Sequence, residues 1–381
     1  MARWGRAQRA KSLVCSNVLM GATPEHTKVV VIGAGQAGLS AGYFLRKKGL
    51  EPGSGFVILD HAPRPGGAWQ HRWPSLTLRT ANAVHDLPGF PFDHSQQERQ
   101  AATAVPAYYA AYERRFELDV RRPAHVRAVA REGSGFLVRA DVGEFACAGV
   151  VNATGTWEKP FWPRYPGADL FHGRQLHAHD YRAPDEFAGQ HVLVVGAGVS
   201  GVNILVEVSR LARTTWATRR APVFRDGPFT PELGRAAVAL VEDRVRRGLV
   251  PGSVVGFTGL VWTPQLREAE ARGVLERLPM FQRLTPSGAQ WEDCTRVDVD
   301  VILWCTGFRA NLGHLAPLGL RSPGGGIALT GRLATQVAAE PRVHLIGYGP
   351  SASTIGANRA GRAAVAELLE TINAADARPS S

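Results

Sequence analysis

Two segments of the chain repeat one pattern: a run of β-branched apolar residues, a glycine-rich loop and a helical stretch. In the first copy, residues 28–32 form the apolar run, residues 33–38 form the loop, and Gly49 closes the helical stretch. A continuous apolar run of this kind is typical of a parallel strand that is buried on both faces. In a loop with the spacing GxGxxG, glycine lets the backbone turn sharply and approach a pyrophosphate at the start of the helix. The pattern predicts a dinucleotide-binding βαβ unit.

A second apolar run, residues 56–59, completes this unit and ends in Asp60. A carboxylate at the end of this strand is expected to bind the ribose of the nucleotide. Asp60 lies 27 residues after Gly33, whereas the usual spacing is about 20, and the glycine-rich turn at residues 51–55 accounts for the excess. The alternative is that residues 33–38 form an ordinary glycine turn between a strand and a helix.

The second copy of the pattern has the same three parts. They are a strand, a glycine loop and a helix at residues 191–195, 196–201 and 202–211. The next strand, residues 214–218, ends in Arg219 and Arg220 and carries no acidic residue. Guanidinium groups suit a 2′-phosphate in charge and geometry, so we predict NADPH rather than NADH at this loop. The alternative is that both arginines are solvated surface charges.

The remaining pattern predicts how the two units are arranged. Two further strands each end in a threonine–glycine turn, at residues 153–155 and 305–307, and a proline-rich linker occupies residues 159–166. We predict an α/β fold of the glutathione-reductase-like type, with two Rossmann-like dinucleotide-binding domains and the second inserted into the first. The predicted parts are a disordered basic extension, a first domain in two pieces and an inserted second domain, at residues 1–25, 26–157 with 300–381, and 158–299.

Other elements are predicted from periodicity within this frame. An amphipathic helix is expected between Glu232 and Arg247, with Leu233, Ala237, Leu240 and Val241 on one face. A helix from Tyr108 to Phe116, short strands near residues 125–140, a last strand at residues 343–349 and a closing helix to Leu369 complete the set.

The composition limits the class of protein. The 381 residues are 45% hydrophobic, which is enough for two packed domains. The net charge of +11 and the pI near 10.0 raise nucleic acid as a partner. However, only five of the 44 basic residues are lysines, and the basic residues are spread along the chain without a long cationic block. We therefore predict no nucleic-acid partner. The chain has no run of about 18 apolar residues, so no transmembrane helix is predicted.

The cysteines exclude one branch of the two-nucleotide proteins. Cys15, Cys147, Cys294 and Cys305 are far apart in the sequence and show neither a C-x-x-C pair nor metal-ligand spacing. A flavin disulfide reductase needs two close cysteines, so that activity is disfavoured and all four thiols are interpreted as structural. No metal is predicted. Scattered free thiols also suit a reducing compartment, and a cytoplasmic protein is expected.

A further motif lies between the two loops. Phe171, Gly173, His177 and Tyr181 match the pattern F-x-G-x-x-x-H-x-x-x-(Y/F/W). With this motif and the two loops, the chain resembles the flavin-containing monooxygenases, the class B flavoprotein monooxygenases, over residues 28–369. It is most similar to their short bacterial members.

The resemblance implies which cofactors bind and where. FAD is expected at the first loop and its surroundings, through Gly33, Gly35, Gln36, Gly38, Asp60, Gly67, Trp69 and Val126. NADPH is expected at the second loop, through Gly196, Gly198, Ser200, Gly201, Arg219 and Arg220. Thr306, in the second threonine–glycine turn, is included among the cofactor residues.

The resemblance also implies a reaction. NADPH reduces FAD, dioxygen forms a C4a-hydroperoxide on the reduced flavin, and this species oxygenates an amine nitrogen or a sulfide sulfur of a small molecule. The alternatives are a Baeyer–Villiger ketone monooxygenase, whose relatives usually carry tryptophan where Tyr181 stands, an NADPH:flavin electron-transfer enzyme, and a non-catalytic nucleotide sensor. A homodimer is one option for the oligomeric state.

Three residues are candidates for roles in catalysis. Asn82 lies in the region where the family uses an asparagine to position the flavin–oxygen adduct, although a turn or cap residue is an equal interpretation. His177 is a candidate acid–base group, and Tyr181 follows it in the motif. Because the motif is interpreted as a linker between domains, a hinge or packing role is favoured for His177 and Tyr181.

Overall fold

The structure is a computed structural model that describes residues 23–81, 84–227, 230–252 and 258–377 of the 381-residue chain. Its strands are β1 (Glu25–Ile32), β2 (Phe56–Leu59), β3 (Val120–Arg121), β4 (Val126–Glu132), β5 (Gly135–Ala140), β6 (Gly143–Asn152), β7 (Arg174–His177), β8 (His191–Val195), β9 (Arg213–Ala217), β10 (Phe224–Arg225), β11 (Leu260–Val261), β12 (Arg277–Leu278), β13 (Arg283–Leu284), β14 (Gly288–Gln290), β15 (Arg296–Asp298), β16 (Val301–Trp304), β17 (Leu329–Thr330), β18 (Gln336–Val337) and β19 (Glu340–Leu345). The helices with described bounds are α1 (Gln36–Lys47), α2 (Ala101–Arg115), α3 (Val199–Val208), α4 (Pro231–Arg246), α5 (Pro264–Ala271) and α6 (Thr354–Asp376).

The larger sheet has nine strands, and its main order is β17-β18-β19-β6-β1-β2-β3, with the β4–β5 hairpin attached to β6. β1 lies between β2 and β6, and all three run parallel. Its central residues Val29, Val30 and Val31 are fully buried, as expected for a strand that is covered on both faces. Helix α1 packs against α6 so closely that a Cβ on Gly361 would lie 2.6 Å from Ser40 Oγ.

The smaller parallel sheet has five strands in the order β12-β9-β8-β16-β7. β8 and β16 are its central pair, and Val192 to Val195 face Val301 to Trp304 in register. Two small sheets, β10-β11 and the antiparallel β13-β14-β15, lie outside it. In chain order all five strands of this sheet lie between β6 and β17, so the chain leaves the larger sheet once and returns once. The predicted α/β fold is confirmed: both sheets have a parallel centre, and the larger sheet also carries antiparallel strands at β4-β5 and β17-β18.

The structure differs from the sequence prediction at the return to the larger sheet. The prediction placed residues from 300 onwards in the first domain, but β16 pairs with β7 and β8 in the smaller sheet. The return therefore follows Trp304. A strand buried on both faces carries no mark of which sheet it joins, so only its pairing decides this.

Two smaller expectations are also wrong. β1 begins at Glu25, inside the predicted extension, because Glu25 forms an ion pair with Arg121 and continues the ladder against Phe145. In α4, Leu240 was assigned to the buried face but is 51% exposed, while Ala237 and Val241 are buried. Residues 1–22 lie outside the described residues. Among the helices that the structure describes, none is long and apolar enough to cross a membrane.

One buried apolar cluster connects the two sheets. It includes Val29 and Ile58 of the larger sheet, Val192 and Leu303 of the smaller sheet, and Tyr181 between them. The junction between the two halves is therefore packed like a domain core, and the two nucleotide loops are held in a defined relation.

Candidate functional site

The first glycine loop is built for a pyrophosphate. Gly33 has φ +99°, and a Cβ there would lie 2.7 Å from the Ala153 carbonyl oxygen. A Cβ on Gly38 would overlap the Gly33 carbonyl oxygen, whereas a Cβ on Gly35 would meet no atom within 4 Å. Gly35 is also the N-cap of α1, and no side chain caps the helix. The first glycine makes the turn, the third allows close packing, and the second leaves an open approach to the helix N-terminus, as a bound pyrophosphate requires.

The second loop repeats this geometry at the smaller sheet. A Cβ on Gly196 would overlap the Cys305 carbonyl oxygen, and a Cβ on Gly201 would lie 2.9 Å from Cys305 Cβ. Gly198 faces open space within 4 Å and is the uncapped N-cap of α3. Ser200 lies in the first turn of α3 and is partly exposed. The residues of both loops therefore fit a dinucleotide.

Asp60 follows β2 beside the first loop and is 3% exposed. Its Oδ2 accepts a hydrogen bond from Arg122 Nε at 3.1 Å. The terminal nitrogens of Arg122 bind both oxygens of Glu113 at 2.7 and 2.8 Å. Asp60 Oδ1 has a weaker neighbour, His61 Nδ1 at 3.7 Å. One oxygen of a braced, buried carboxylate is thus oriented for a ribose, and the brace itself was not predicted because Glu113 and Arg122 carry no motif.

The other expected FAD residues lie around this loop. Gly67 and Trp69 are in a 3-10 turn, Gly67–His71, and a Cβ on Gly67 would lie 3.0 Å from Gly35 Cα. Val126 is the first residue of β4. Two residues earlier, the Ala124 amide donates a hydrogen bond to the Asp60 carbonyl oxygen at 2.8 Å, which keeps the start of β4 close to Asp60. The Gln36 side chain is held within the protein, because Tyr109 Oη donates to its Oε1 at 2.6 Å. Gln36 can therefore contribute its backbone N–H rather than its side chain.

Two arginines follow β9, and a third, Arg277, is bound to Thr218 directly before them. Arg219 and Arg220 are exposed, as the sequence interpretation allowed. The buried Thr218 hydroxyl donates to the Arg220 carbonyl oxygen at 2.9 Å. Arg277 reaches across from β12, and its guanidinium donates to the Thr218 carbonyl oxygen at 3.4 Å. Arg277 was missed because it enters the site through strand pairing, 57 residues after Arg220.

The two threonine–glycine turns hold each other's flanking segments. Thr154 Oγ1 donates to the Asn311 carbonyl oxygen at 2.7 Å, and the Asn311 amide donates to the Gly155 carbonyl oxygen at 3.1 Å. In the other turn, Thr306 Oγ1 donates to the Phe161 carbonyl oxygen, and the Phe161 amide donates to the Gly307 carbonyl oxygen at 2.9 Å. The Thr306 hydroxyl is therefore engaged within the protein and does not point freely toward a cofactor.

Aromatic side chains fill the place where these turns meet. Trp157, two residues after the first turn, is 7% exposed and stacks on Phe308, which directly follows the second, with ring centroids 5.1 Å apart. The rings of His71 and His179 stack on Trp157 at 5.8 and 4.6 Å, and the Arg72 guanidinium lies 4.8 Å from its centre. Trp157 and Phe308 were not predicted. Their position one or two residues after each threonine–glycine turn was the available signal.

The motif at residues 171–181 is only partly a linker. Residues 174–177 form β7, the edge strand of the smaller sheet, where Arg174 to His177 pair with Val301 to Trp304. A Cβ on Gly173 would overlap the Asp300 carbonyl oxygen and the ring of Phe171. The glycine and the phenylalanine of the motif therefore serve close packing at the start of the strand, which corrects the interpretation as a plain linker.

His177 is buried at the end of β7. Its Nδ1 accepts a hydrogen bond from the His179 amide at 3.0 Å, and its Nε2 has no hydrogen-bond partner among the described residues. The ring lies against Phe308 and Trp162 at 5.2 and 5.7 Å. Burial lowers the pKa of His177 to about 4. The ring is therefore neutral near pH 7, which disfavours an acid–base role and agrees with packing at the junction.

Tyr181 is buried, and its ring lies 5.9 Å from the ring of Trp73 in the first domain. Its hydroxyl donates to Glu207 Oε2 at 2.8 Å. Burial, together with the Glu207 carboxylate, raises the pKa of Tyr181, so the phenol stays protonated. Its hydroxyl is thus committed to a carboxylate of α3. Asn82, the third candidate for catalysis, lies outside the described residues.

The described cysteines provide no redox pair. Cys147 and Cys305 are buried in different sheets, and burial raises the pKa of each thiol to about 12. Cys294 is exposed. The described part of the chain also contains no group of three or more His, Cys, Asp or Glu side chains placed to hold a metal ion.

Two dinucleotide-type glycine loops, whose flanking segments come together at the aromatic junction around Trp157, are typical of two-nucleotide flavoprotein oxidoreductases. A family model described as "Pyridine nucleotide-disulphide oxidoreductase" matches residues 30–233. The chain belongs to the pyridine nucleotide-disulphide oxidoreductase family.

Individual relatives narrow this further. The solved flavin-containing monooxygenase from Stenotrophomonas maltophilia has 39% identity and a TM-score of 0.76, over 93% of this chain and 100% of that chain. The uncharacterized oxidoreductase CzcO-like of Geobacillus kaustophilus is 33% identical over 74% of this chain and 80% of its own length. The indole-3-pyruvate monooxygenase YUCCA1 of Oryza sativa subsp. japonica is 26% identical over 74% of this chain and 77% of its own length. The protein is therefore a flavoprotein oxidoreductase of the monooxygenase group, and its cofactors are FAD and NADPH.

Proposed function

We propose that the protein is an NADPH-consuming monooxygenase that transfers one oxygen atom of dioxygen to an amine nitrogen or a sulfide sulfur of a small organic molecule. When bound, FAD would activate dioxygen for transfer of one oxygen atom to the substrate. FAD binds at the first loop and Asp60. NADPH binds at the second loop, with Arg219, Arg220 and Arg277 at its 2′-phosphate.

The observation that supports the proposal most strongly is the aromatic junction around Trp157. Ala153 contacts the first loop at Gly33, and Cys305 contacts the second loop at Gly196. Trp157 and Phe308, a few residues beyond each contact, stack on each other. The junction between the loops is thus lined by the buried ring of Trp157 and the half-buried rings of Phe308, His71 and His179. Exclusion of water from the reacting centre is what an oxygen-transferring flavin requires, because water promotes loss of the oxygen as peroxide.

The side chains at the junction favour a soft nucleophile as substrate. An amine or sulfide attacks an electrophilic oxygen with its own lone pair and needs no general base from the protein. His177, the titratable motif residue at the junction, is held neutral by a pKa of about 4. Tyr181 stands where relatives that oxygenate ketones usually carry tryptophan, and its hydroxyl is bound to Glu207.

One observation favours the Baeyer–Villiger alternative. The half-buried guanidinium of Arg72 lies 4.8 and 5.8 Å from the centres of Trp157 and Trp69, with no ion pair to a described residue. A cation in this position stabilises a nearby anion, and ketone oxygenation uses a peroxide anion as nucleophile. A ketone therefore belongs in the substrate panel.

The deciding experiment uses labelled dioxygen. The FAD-loaded protein is incubated with NADPH, ¹⁸O₂ and methyl phenyl sulfide, a tertiary amine or cyclobutanone, with catalase present to remove free peroxide. We expect one ¹⁸O in the sulfoxide or the N-oxide, and an excess of one sulfoxide enantiomer. Free hydrogen peroxide gives a racemic sulfoxide, so the enantiomeric ratio separates transfer within the site from leakage.

Two outcomes contradict the proposal. A labelled lactone from cyclobutanone, without labelled sulfoxide or N-oxide, assigns the Baeyer–Villiger activity instead. Peroxide is measured in a parallel reaction without catalase. NADPH consumption that is matched one to one by hydrogen peroxide there, with no label in any product of the main reaction, assigns electron transfer to oxygen. The proposed FAD domain comprises residues 25–157 and 305–377, and the proposed NADPH domain comprises residues 158–304.

A further inference from the structure

Glu207 joins three parts of the molecule that are distant in sequence. Its Oε2 accepts a hydrogen bond from Tyr181 Oη at 2.8 Å. Its Oε1 accepts from Ser75 Oγ at 2.8 Å and from Trp73 Nε1 at 3.4 Å. Ser75 and Trp73 precede Glu207 by 132 and 134 residues. A single carboxylate thus connects the first domain, the 171–181 motif and the second domain.

Glu207 is connected to the second nucleotide loop, and its partners Trp73 and Ser75 are connected to the first. Glu207 lies on α3, nine residues after the N-cap Gly198, so about 13 Å of continuous helix separates it from the second loop. Trp73 and Ser75 directly follow the turn Gly67–His71, which contacts the first loop at Gly35. A displacement of α3 relative to the first domain must therefore break or stretch the hydrogen bonds at Glu207.

The donors around Glu207 make this junction specific. Tyr181 and Trp73 are 1% and 3% exposed, and their rings meet edge to face at 5.9 Å. Glu207 forms no ion pair with a basic side chain of the described residues, so its recorded side-chain partners are three neutral donors. Hydrogen bonds to a carboxylate are stronger and more directional than neutral ones. Because Tyr181 and Trp73 are buried and Ser75 adds a third bond at the surface, the three bonds together favour one orientation of α3.

We propose that Glu207 is an interdomain positioning residue: it sets the distance and angle between the helix that presents NADPH and the turn that holds FAD. In the step it serves, the hydride that leaves NADPH carries two electrons to FAD, and NADP⁺ remains. Loss of the carboxylate lets α3 shift and slows this transfer, while both nucleotides still bind at their own loops. The inference rests on the two cofactors and is independent of the proposed substrate.

The test uses Glu207→Ala, Glu207→Gln, Tyr181→Phe and Ser75→Ala in the FAD-loaded full chain. Flavin reduction is followed by stopped flow without oxygen over a range of NADPH concentrations, which gives the Kd of NADPH and the limiting rate separately. We expect the limiting rate to fall about 10-fold in Glu207→Ala, which loses all three hydrogen bonds, and about 3-fold in Ser75→Ala, which loses one of them. The Kd of NADPH is expected to stay within about twofold.

A second readout does not depend on turnover. Amide hydrogen exchange of the protein without NADPH should be faster in Glu207→Ala than in wild type at residues 73–78 and 181–183, because these segments lose their shared anchor. The matched control is Glu268→Ala on α5, which removes an exposed carboxylate that pairs with Arg210 at 3.4 Å. The control should change neither the limiting rate nor the exchange. The pair Glu207→Ala and Tyr181→Phe should be no slower together than Glu207→Ala alone.

Several outcomes overturn the proposal. An unchanged limiting rate with faster exchange shows that the contacts hold the junction without serving hydride transfer. A higher Kd at an unchanged limiting rate makes Glu207 part of NADPH binding instead. If Glu207→Ala loses FAD or does not fold, Ser75→Ala and Tyr181→Phe decide by the same criteria. Because the assay needs neither oxygen nor substrate, a failure of the proposed oxygen transfer leaves this result intact.

Discussion

The two nucleotide loops share one backbone design but differ at the strand that follows each of them. In both loops the first and third positions must be glycine, because a Cβ there would clash with neighbouring atoms, whereas the second glycine faces open space. The first loop is followed by Asp60, a buried carboxylate that Arg122 and Glu113 brace. The second is followed by Arg219 and Arg220, which are exposed. We therefore propose that the glycine loops bind the pyrophosphate that both cofactors share, and that the strand ends distinguish the two nucleotides.

We propose that the same difference also sets how long each cofactor stays bound. A braced, buried acceptor costs no reorganisation when a ribose binds, which favours a cofactor that remains bound. Exposed arginines hold a phosphate in contact with solvent, where ion pairs are weaker. That suits a cofactor that must leave in every cycle. Built and exposed recognition sites thus correspond to a resident flavin and an exchanging nicotinamide nucleotide.

The largest expected effect separates the two loops. Gly35 and Gly198 both have negative φ, so valine fits the backbone of either position, but its side chain enters the space left for the pyrophosphate. Gly35→Val should abolish retention of FAD. Gly198→Val should keep FAD and raise the KM for NADPH by about 100-fold, roughly 2.7 kcal/mol. Flavin absorbance of the purified variants and steady-state rates check this, and loss of FAD from Gly198→Val would contradict separate roles for the loops.

The next effect tests the buried acceptor beside the first loop. Asp60→Asn keeps the size of the side chain but removes its charge, so the hydrogen bonds to Arg122 and to the ribose weaken. We expect the affinity for FAD to fall about 30-fold, near 2 kcal/mol, while the KM for NADPH stays unchanged. Titration of the apoprotein with FAD measures the loss. Asp141→Asn, at an exposed carboxylate that accepts from the His125 amide, is the control and should bind FAD normally.

Acid should weaken the junction between the loops. Burial holds His177 neutral, with its pKa lowered from 6.5 to about 4, so its stabilising contribution is complete above pH 6.5 and is lost as the pH falls toward 4. At pH 5 the free energy of unfolding is therefore about 2 kcal/mol lower than at neutral pH. His177→Gln should remove that part of the acid sensitivity, as measured by urea unfolding at pH 7 and pH 5. His172→Gln, at an exposed position of the same motif, should leave the pH dependence as in wild type.

The smallest effect concerns the choice between NADPH and NADH. Arg219→Ala, Arg220→Ala and Arg277→Ala should each lower kcat/KM for NADPH about tenfold, because each removes a charge near the 2′-phosphate. The values for NADH should not change. Arg213→Ala, at the opposite end of β9, is the control and should not alter the preference. Equal losses with both nucleotides would assign these arginines to the fold of the strand end instead.

Local patterns predicted much of the fold. The bounds of β2 and β8, at residues 56–59 and 191–195, are confirmed by the structure, since an apolar run between turn residues determines where a strand begins and ends. The partners of β16 were predicted wrongly, because both of its faces are apolar and its sequence is compatible with either sheet. Glu207 was not predicted at all, since its partners come from 26 to 134 residues away.

Sequence alone determined the two glycine loops, the acidic and the arginine-rich strand ends and the family motif, because each of these depends on residues that are neighbours along the chain. Only the tertiary structure decided that Arg122 braces Asp60, that Arg277 joins Arg219 and Arg220, and that Trp157 meets Phe308. These contacts arise when strands pair and domains close. The residues that form them share no local sequence pattern, because each contact joins residues that are distant along the chain.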